Sequence, residues 1–286
     1  MKTLVTTANG MFGGEVVRKL AERGAQVRAM VRDRSKFTFQ HPCVDVVSAD
    51  LDVFSTIERA LDGVGRVFLA TPMHPRLAER ECAVIDAAKR TGVKQIVKIH
   101  GAVKHEGDHL NAMHQRVLDH LGQSGVSWCL VSPNSVMETS LLGFAGSIRE
   151  EAAIYGMSGH GKIGLVALED VAEVTAHVLT TDGHDGHNYE LTGPQALSLY
   201  EVAEAFGRVL DEPVTYHDMP EEEMRALLAE VFPMSDEDLE INVLCHLRCW
   251  RDGKADLVTD TFKRLTGKEP TSLEQWIDTY RSQFKK

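Results

Sequence analysis

The first fifteen residues of the chain constrain its fold more than any other stretch. Leu4, Val5 and Thr6 form a short apolar run with strand propensity, and a turn that contains glycine follows them. Apolar residues at helical spacing begin directly afterwards with Val16 and Val17. This order predicts a strand, a turn and a helix, in which backbone N–H groups of the turn bind a phosphate at the N-terminus of the helix.

The turn between this strand and helix has the spacing of a dinucleotide-binding loop, with one change. Its glycines are Gly10 and Gly13, and Thr7 stands where the first of three regularly spaced glycines is expected. A β-branched residue suits an extended backbone better than a left-handed turn, so we expect a loop slightly different in shape from the all-glycine version. Taken alone, the turn is a weak indication of a phosphate site.

Strand patterns continue to alternate with helix patterns through the first half of the chain. Further strands are predicted at residues 26–31, 44–47, 64–70, 93–99 and 126–131. The helical stretches between them have the lengths that parallel crossover connections require. The predicted fold class is therefore α/β, with a doubly wound parallel sheet of the Rossmann type that binds its ligand at the carboxyl ends of the strands.

The alternation becomes less regular after about residue 136, where helical patterns dominate. We predict a Rossmann domain over residues 1–155 and a smaller, mainly helical C-terminal lobe over residues 156–286. A strand near residues 187–192 can return to the main sheet. The smaller lobe is expected to bind the substrate.

The charge balance and the cysteines restrict the class of partner. The net charge of −11 argues against nucleic acid and anionic membrane surfaces as partners. No apolar run is long enough to span a membrane, and the N-terminus reads as a strand rather than a signal peptide. The five cysteines are scattered, which fits a reducing compartment. We therefore expect a cytoplasmic protein with a small-molecule substrate, and the sequence leaves open whether it is a monomer or a homodimer.

A basic cluster follows the second predicted strand. In a dinucleotide fold this position faces the adenosine ribose, where an acidic residue binds the 2′-hydroxyl and an arginine accommodates a 2′-phosphate. Here Arg32 occupies the position of the acidic residue, and Arg34 and Lys36 add positive charge. The alternative is a solvated turn of mixed charge, because Asp33 lies within the cluster. The pattern favours NADP over NAD.

Several stretches in the same order along the chain resemble the NmrA-like family of atypical short-chain dehydrogenases/reductases. They are the opening loop, Val31-Arg-Asp, Ala87-Ala-Lys-Arg-Thr-Gly-Val, Ser124-Gly-Val-Ser-Trp, Glu169-Asp-Val-Ala-Glu, Tyr189-Glu-Leu-Thr-Gly-Pro and Leu265-Thr-Gly-Lys-Glu-Pro. The resemblance implies a Rossmann protein with a small substrate lobe. Some members are similar to NADPH-dependent quinone and azo-dye reductases, and others are redox sensors that bind NADP without turnover.

The resemblance also implies a set of cofactor-binding residues. They are Thr7, Asn9, Gly10, Met11, Phe12 and Gly13 at the phosphate loop, Arg32 and Lys36 at the 2′-phosphate, Asp50 and Leu51 beside the adenine, Ala70, Thr71 and Pro72 beside the nicotinamide ribose, and Pro133 near the nicotinamide and substrate. NADPH is the expected cofactor.

The chain departs from the family where proton transfer is concerned. Short-chain dehydrogenases use a Tyr-x-x-x-Lys pair, and no tyrosine of this chain has a lysine four residues later. His100 follows the fifth strand where the family often has serine, and His114 lies on the next helix, with Leu118 in place of a carboxylate. We expect both histidines to face the nicotinamide, where one of them, or solvent, supplies the proton that reduction requires. The alternative for each is a hydrogen-bonded or exposed histidine without a chemical role.

Four apolar residues are candidates for the wall of a substrate pocket. They are Met73, Met137, Phe144 and Trp250. Core packing explains them equally well, because pattern alone does not separate a pocket from a core.

Two short motifs resemble metal sites, and we favour a different interpretation of each. His105-Glu-Gly-Asp-His109 matches the H-E-x-x-H zinc signature, but its glycine and aspartate disfavour the helix that the motif needs, and no clear third ligand follows. Cys245, His246 and Cys249 fit packing within a C-terminal helix better than ligation. No metal is expected, and whether His105 and His109 bind one stays open.

These features lead to one functional hypothesis and one alternative. The leading hypothesis is an NADPH-dependent reductase that transfers hydride to a small electron-poor acceptor such as a quinone, an azo compound or a conjugated carbonyl or imine. The alternative is a non-catalytic NADP(H)-binding sensor of the NmrA type, which the missing Tyr–Lys pair keeps open.

Overall fold

The structure is a computed structural model that describes residues 1–103, 109–231 and 234–286. Its strands are β1 (Lys2–Val5), β2 (Val27–Val31), β3 (Val44–Ser48), β4 (Val64–Leu69), β5 (Gln95–Ile99), β6 (Ser127–Pro133), β7 (Ser135–Val136), β8 (Ala153–Gly156), β9 (Leu165–Val166), β10 (Asn188–Leu191) and β11 (Thr215–Asp218). Its helices are α1 (Met11–Glu22), α2 (Phe54–Ala60), α3 (Leu77–Thr91), α4 (His109–Gln123), α5 (Met137–Ser140), α6 (Ala145–Glu151), α7 (Leu168–Thr180), α8 (Leu199–Leu210), α9 (Glu221–Val231), α10 (Asp236–Leu239), α11 (Cys245–Arg251), α12 (Thr261–Thr266), α13 (Leu273–Thr279) and α14 (Arg281–Phe284). None of these helices is long and apolar enough to cross a membrane.

The main sheet has the strand order β10-β6-β5-β4-β1-β2-β3. Neighbouring strands from β1 to β6 pair in parallel. The strand order reverses between β1 and β4, and a doubly wound fold binds its ligand at such a switch point, beyond the carboxyl ends of the strands. The predicted α/β class and the Rossmann type of sheet are confirmed.

Local sequence accounts for the helices that flank this sheet. Helix α1 buries Val16, Val17 and Leu20, the apolar stripe that the helical spacing predicts. Helix α3 ends at Gly92, whose φ of 75° is the left-handed conformation that closes a helix and that glycine adopts without steric strain.

The chain divides into two compact units, and each is assembled from three segments of sequence. Unit 1 comprises Met1–His100, Asn111–Ser132 and Val171–Tyr189. Unit 2 comprises the described parts of Gly101–Leu110, Pro133–Asp170 and Glu190–Lys286. The predicted boundary at residue 155 thus differs from the observed division, because it falls inside a segment of unit 2 and assigns residues 171–189 to the smaller lobe.

Contacts between residues distant in sequence place residues 171–189 in unit 1. Arg66, which lies in β4, forms an ion pair with Asp182. The carboxylate of Asp185 accepts a hydrogen bond of 2.7 Å from the hydroxyl of Ser127, at the start of β6. Strand β10, which begins in this segment, then forms the edge of the main sheet beside β6. The two side-chain contacts join residues distant in sequence, so hydrophobic periodicity does not reveal them, whereas β10 lies where a strand near residues 187–192 was predicted to return to the main sheet.

Unit 2 has a core of its own, built from helices and two short parallel strand pairs, β8 with β11 and β7 with β9. The indole of Trp250 donates to the hydroxyl of Ser135 at 3.1 Å, and that of Trp276 donates to the carboxylate of Glu138 at 2.9 Å. Both rings are therefore buried with their polar edge satisfied.

Candidate functional site

The turn between β1 and α1 forms a tight backbone cradle. The N–H of Gly10 donates to the carbonyl of Thr7 at 2.7 Å, and α1 begins at the next residue. A Cβ at Gly13 would overlap the carbonyl oxygen of Thr7 and lie 2.9 Å from that of Thr6, so glycine alone fits there. The first N–H groups of α1 have no partner within the helix, and this is the arrangement that binds a phosphate.

The remaining loop residues that the sequence singled out line the outer side of the same turn. Asn9 and Met11 are exposed, and Phe12 is half-buried. The turn is thus exposed at residues 9–11 and buried at Gly13.

Thr7 adopts the left-handed conformation, with a φ of 47°. This differs from the preference for an extended backbone that we expected of a β-branched residue, and it reproduces the conformation that glycine would take there. The hydroxyl of Thr7 donates to the carbonyl of Ala70 at 3.1 Å, which supports the strained backbone from the end of β4.

Thr6 joins the same two strand ends and is a residue that the sequence reasoning missed. Its side chain is fully buried, and its hydroxyl donates to the carbonyl of Ala70 at 2.8 Å and accepts from the Ala70 N–H at 2.9 Å. The loop after β1 and the loop after β4 are therefore held together by the hydroxyls of two consecutive threonines. The one signal in the sequence is a polar pair at the end of an apolar strand.

The end of β2 presents three exposed cations, Arg32, Arg34 and Lys36. Within the described residues none of them takes part in an ion pair. The carboxylate of Asp33 is engaged instead by the N–H and hydroxyl of Ser35, at 3.0 and 2.7 Å, and these hydrogen bonds hold the pKa of Asp33 below its usual value. Asp33 therefore stays ionised, and the turn carries three positive charges against one negative charge, an excess that can accept an added phosphate.

Asp50 and Leu51 follow β3, and Leu51 is buried. The neighbouring Asp52, which the sequence reasoning passed over, accepts two hydrogen bonds from the guanidinium of Arg80, at 2.8 and 2.6 Å, and one from Arg76 at 2.9 Å. These bonds tie the loop after β3 to the beginning of α3, and hence to the loop after β4. The partners are widely separated in sequence, so no local pattern indicates the link.

The loop after β4 contains Ala70, Thr71, Pro72 and Met73, of which Ala70 is buried, Thr71 and Met73 are half-buried and Pro72 is exposed. The hydroxyl of Thr71 donates to the carboxylate of Glu81 at 2.9 Å. A side chain of helix α3 thus holds Thr71 in place through a hydrogen bond.

His100 and His114 lie together in unit 1, with ring centroids 5.3 Å apart and ring planes at 80°. Burial, followed by the charge of Lys98, lowers the pKa of His100 to about 4. The imidazole of His100 is therefore neutral at neutral pH. Its Nδ1 is buried and accepts or donates no hydrogen bond among the described residues.

Met137, Phe144 and Trp250, three of the predicted pocket residues, belong to unit 2. Pro133 belongs to the same unit and is buried. Met137 is 1% exposed and Trp250 is 5% exposed, and both belong to the core of this unit. Phe144 is half-buried and packs against that core. The core interpretation that the sequence left open therefore describes Met137 and Trp250 in this structure.

The two metal-like motifs have different outcomes. The His105-Glu-Gly-Asp-His109 motif lies largely outside the described residues, with His109 as the first residue of α4. Cys245 and Cys249 are buried in α11, and the thiol of Cys245 donates to the carbonyl of Ile241 at 3.0 Å. Across the parts of the chain that the structure describes, no group of three or more ligand side chains is arranged to hold a metal ion.

Comparison with known proteins gives consistent matches over most of the chain. A model of the NmrA-like family matches residues 1–249. An NAD(P)H azoreductase from Xenophilus azovorans is 36% identical over 220 residues, which cover 74% of this chain and 75% of that protein. A (4-alkanoyl-5-oxo-2,5-dihydrofuran-3-yl)methyl phosphate reductase from Streptomyces griseus is 30% identical over 286 residues, 98% of each protein. The solved structure of an NADPH-dependent quinone oxidoreductase from Escherichia coli, complexed with NADPH, is similar with a TM-score of 0.88 at 25% identity and covers 98% of this chain and 100% of that chain.

Proposed function

The chain belongs to the NmrA-like family, and on that premise we propose that it is an NADPH-dependent oxidoreductase with a small electron-poor acceptor. The acceptor is a quinone, an azo compound or a conjugated carbonyl or imine. The relatives that support this choice are named for azo, quinone and furanone-phosphate reduction.

The residues of unit 1 fit NADPH. The cradle around Gly13 brings the backbone of the β1–α1 turn close enough to bind a pyrophosphate. Arg32, Arg34 and Lys36 offer exposed and unpaired positive charge to a 2′-phosphate. This combination of a phosphate cradle with exposed cations after β2 is the observation that carries the cofactor assignment, because an NAD site would place a carboxylate at the position that Arg32 occupies.

When bound, NADPH supplies the hydride, and the acceptor additionally needs one proton. We assign hydrogen bonding and proton transfer to the acceptor to His100 and His114, whose ring centroids lie 5.3 Å apart. Because the pKa of His100 is about 4, His100 acts as a neutral imidazole that donates a hydrogen bond to the charge developing on the acceptor. The proton itself then comes from solvent or from His114. Thr71 and Pro72 border the nicotinamide ribose in this proposal, and Asp50 and Leu51 border the adenine.

The test measures cofactor binding and turnover separately. NADPH and NADH are titrated against the protein, and nicotinamide absorbance is then followed with a panel of quinones, azo dyes and enones. We expect tighter binding of NADPH than NADH and oxidation of NADPH with at least one acceptor class. Tight NADPH binding with no oxidation by any acceptor in the panel would contradict the reductase.

The roles of the two histidines are tested by substitution. His100→Phe and His114→Phe should each lower kcat by roughly ten- to a hundredfold with little change in NADPH affinity, since acid–base and hydrogen-bonding groups contribute in that range. His120→Asn on the same helix is the control, because the His120 ring is hydrogen-bonded to Asp86 at 2.8 Å. Unchanged kcat in both Phe variants would leave solvent as the proton source and remove the histidines from the mechanism.

The non-catalytic sensor is the second candidate. It is favoured by one observation, that no tyrosine of the chain is followed by a lysine at the spacing short-chain dehydrogenases use. The two candidates are separated by the same titration, because a sensor binds NADPH and NADP without consuming either.

A further inference from the structure

Lys98 and Glu81 form an ion pair in the interior of unit 1. The ammonium of Lys98 lies 2.6 Å from one carboxylate oxygen of Glu81, and each side chain is only 1% exposed. Lys98 is the fourth residue of β5, between the apolar Val97 and Ile99, and Glu81 lies on the buried face of α3. A charged residue inside an otherwise apolar buried strand is the sequence signal that could have revealed the pair.

Stability alone does not account for a pair in this position. Removing two charges from water carries a desolvation penalty that their mutual attraction often fails to recover, and well-packed apolar residues of similar volume are commonly at least as stable. The pair is therefore better explained by what its polar atoms hold in place.

The second carboxylate oxygen of Glu81 faces the loop after β4. It accepts the hydroxyl of Thr71 at 2.9 Å. Lys98 in turn donates to the carbonyl of Ile99 at 3.0 Å, which is the last residue of β5 before His100. One buried pair thus connects the ends of β4 and β5, and both ends carry residues to which the proposed function gives a role.

We propose that Glu81 is a positioning residue for NADPH, with Lys98 fixing its carboxylate so that the second oxygen holds the Thr71 hydroxyl and the loop around it. This inference rests on the proposed function, which places that loop beside the nicotinamide ribose. Glu81 and Lys98 touch neither cofactor nor acceptor in this scheme; they act through Thr71.

The decisive comparison uses two charge-free replacements of the pair. In Glu81→Met/Lys98→Met the interior keeps its volume, but Thr71 loses its acceptor. In Glu81→Gln/Lys98→Met the amide oxygen still accepts from Thr71 while both charges are gone. Since neither variant contains a buried unpaired charge, both should fold, and their melting temperatures are measured first to establish this.

We expect the Met/Met variant to bind NADPH roughly tenfold more weakly than the parent, because binding must then order a loop that a hydrogen bond to a charged group holds in place in the parent. The Gln/Met variant should recover most of that affinity. Thr71→Val should show a similar loss to the Met/Met variant, and combining the two changes should add little, because they remove the same hydrogen bond. The exposed pair of Arg90, also on α3, with Glu58 is the matched control, and Glu58→Met/Arg90→Met should leave NADPH affinity unchanged.

Equal NADPH affinity in the parent and the Met/Met variant would overturn the proposal, as would equal weakening in the Met/Met and Gln/Met variants. Affinity is measured by direct titration, so the result does not depend on whether an acceptor has been found. A parent protein that binds NADPH but reduces nothing contradicts the reductase and leaves this comparison intact, whereas a parent without NADPH affinity overturns both.

Discussion

The carbonyl oxygen of Thr7 occupies the space that a Cβ on residue 13 would need. The approach joins the β1–α1 turn to the first turn of α1, so the depth of this backbone cradle depends on the absence of a side chain at this one position. Gly14, the next residue, is under no such restriction, since a Cβ there would meet the carbonyl of Ala8 at 3.4 Å, an ordinary contact.

The two glycines therefore give a matched pair of variants. Gly13→Ala should raise the dissociation constant for NADPH at least tenfold and lower the free energy of unfolding by about 1–3 kcal/mol, because the backbone of the turn must move. Gly14→Ala should leave NADPH affinity nearly unchanged and alter stability by less than about 1 kcal/mol, in the favourable direction that alanine has within a helix. Cofactor titration and urea unfolding measure the two quantities. Equal effects of the two substitutions would argue against the cradle.

A second prediction concerns the left-handed backbone of Thr7. Thr7→Gly relieves a steric strain of about 1–2 kcal/mol but loses the hydrogen bond to Ala70 and adds flexibility to the unfolded chain, so we expect a free energy of unfolding within about 0.5 kcal/mol of the parent. Thr7→Val keeps the strain and loses the hydrogen bond, and should be destabilised by about 1 kcal/mol. If urea unfolding shows the glycine variant to be as unstable as the valine variant, the left-handed conformation carries no strain.

The third prediction addresses the choice between the two nicotinamide cofactors. Arg32→Ala should weaken NADPH binding about tenfold or more and leave NADH binding within about twofold, because a charge-assisted bond to the 2′-phosphate is lost and NADH has no such group. Lys89→Ala, at the far end of α3, changes the net charge by the same amount and serves as the control. An equal loss for both cofactors would assign Arg32 a role other than contact with the 2′-phosphate.

The fourth prediction concerns pH and Asp170 in unit 2. Burial raises the pKa of Asp170 to about 6, although its oxygens accept the N–H and hydroxyl of Thr271 at 2.7 and 3.1 Å. Between the unfolded value near 3.8 and about 6 the folded protein holds a proton that the unfolded chain has released. The free energy of unfolding should therefore decrease as pH rises through this window, by an amount on the order of 2–3 kcal/mol.

Asp170→Asn removes this titration. The difference in free energy of unfolding between parent and variant, followed by urea unfolding from pH 4 to pH 7, should change with pH in the direction just given and level off above about pH 6. Glu204→Gln, at an exposed carboxylate on α8 of the same unit, is the control. A difference that is constant over the whole range would mean that Asp170 titrates at its ordinary pKa.

The strands of the Rossmann sheet could be predicted because their information is local. A few consecutive residues are enough to recognise the apolar runs that form β1 to β6 and the glycine that ends α3. The prediction for Arg32 rests on the same kind of local information, its place directly after β2, and the cofactor titration above tests it.

The side chains that support the site were not predictable in the same way. Lys98 can be recognised as a charge within an apolar strand, but its partner Glu81 cannot, because no spacing in the sequence pairs a residue of α3 with β5. Asp52 and Arg80 meet across different loops, and their pairing depends on the packing of α3 rather than on any spacing. The sequence pattern also did not distinguish core packing from a pocket wall for Met137 and Trp250, because the same residue types line a pocket and a core.

Because the segments of the two units alternate along the chain, this fold restricts which gene rearrangements preserve a complete unit. A gene fragment that ends at residue 155 lacks residues 171–189, and so lacks the partners of Arg66 and Ser127. Neither unit can be transferred to another protein as one uninterrupted stretch of DNA. We therefore expect new specificities on this scaffold to arise by point substitution and by changes within segments, whereas exchange of a whole lobe by a single recombination event should yield chains with an incomplete sheet edge.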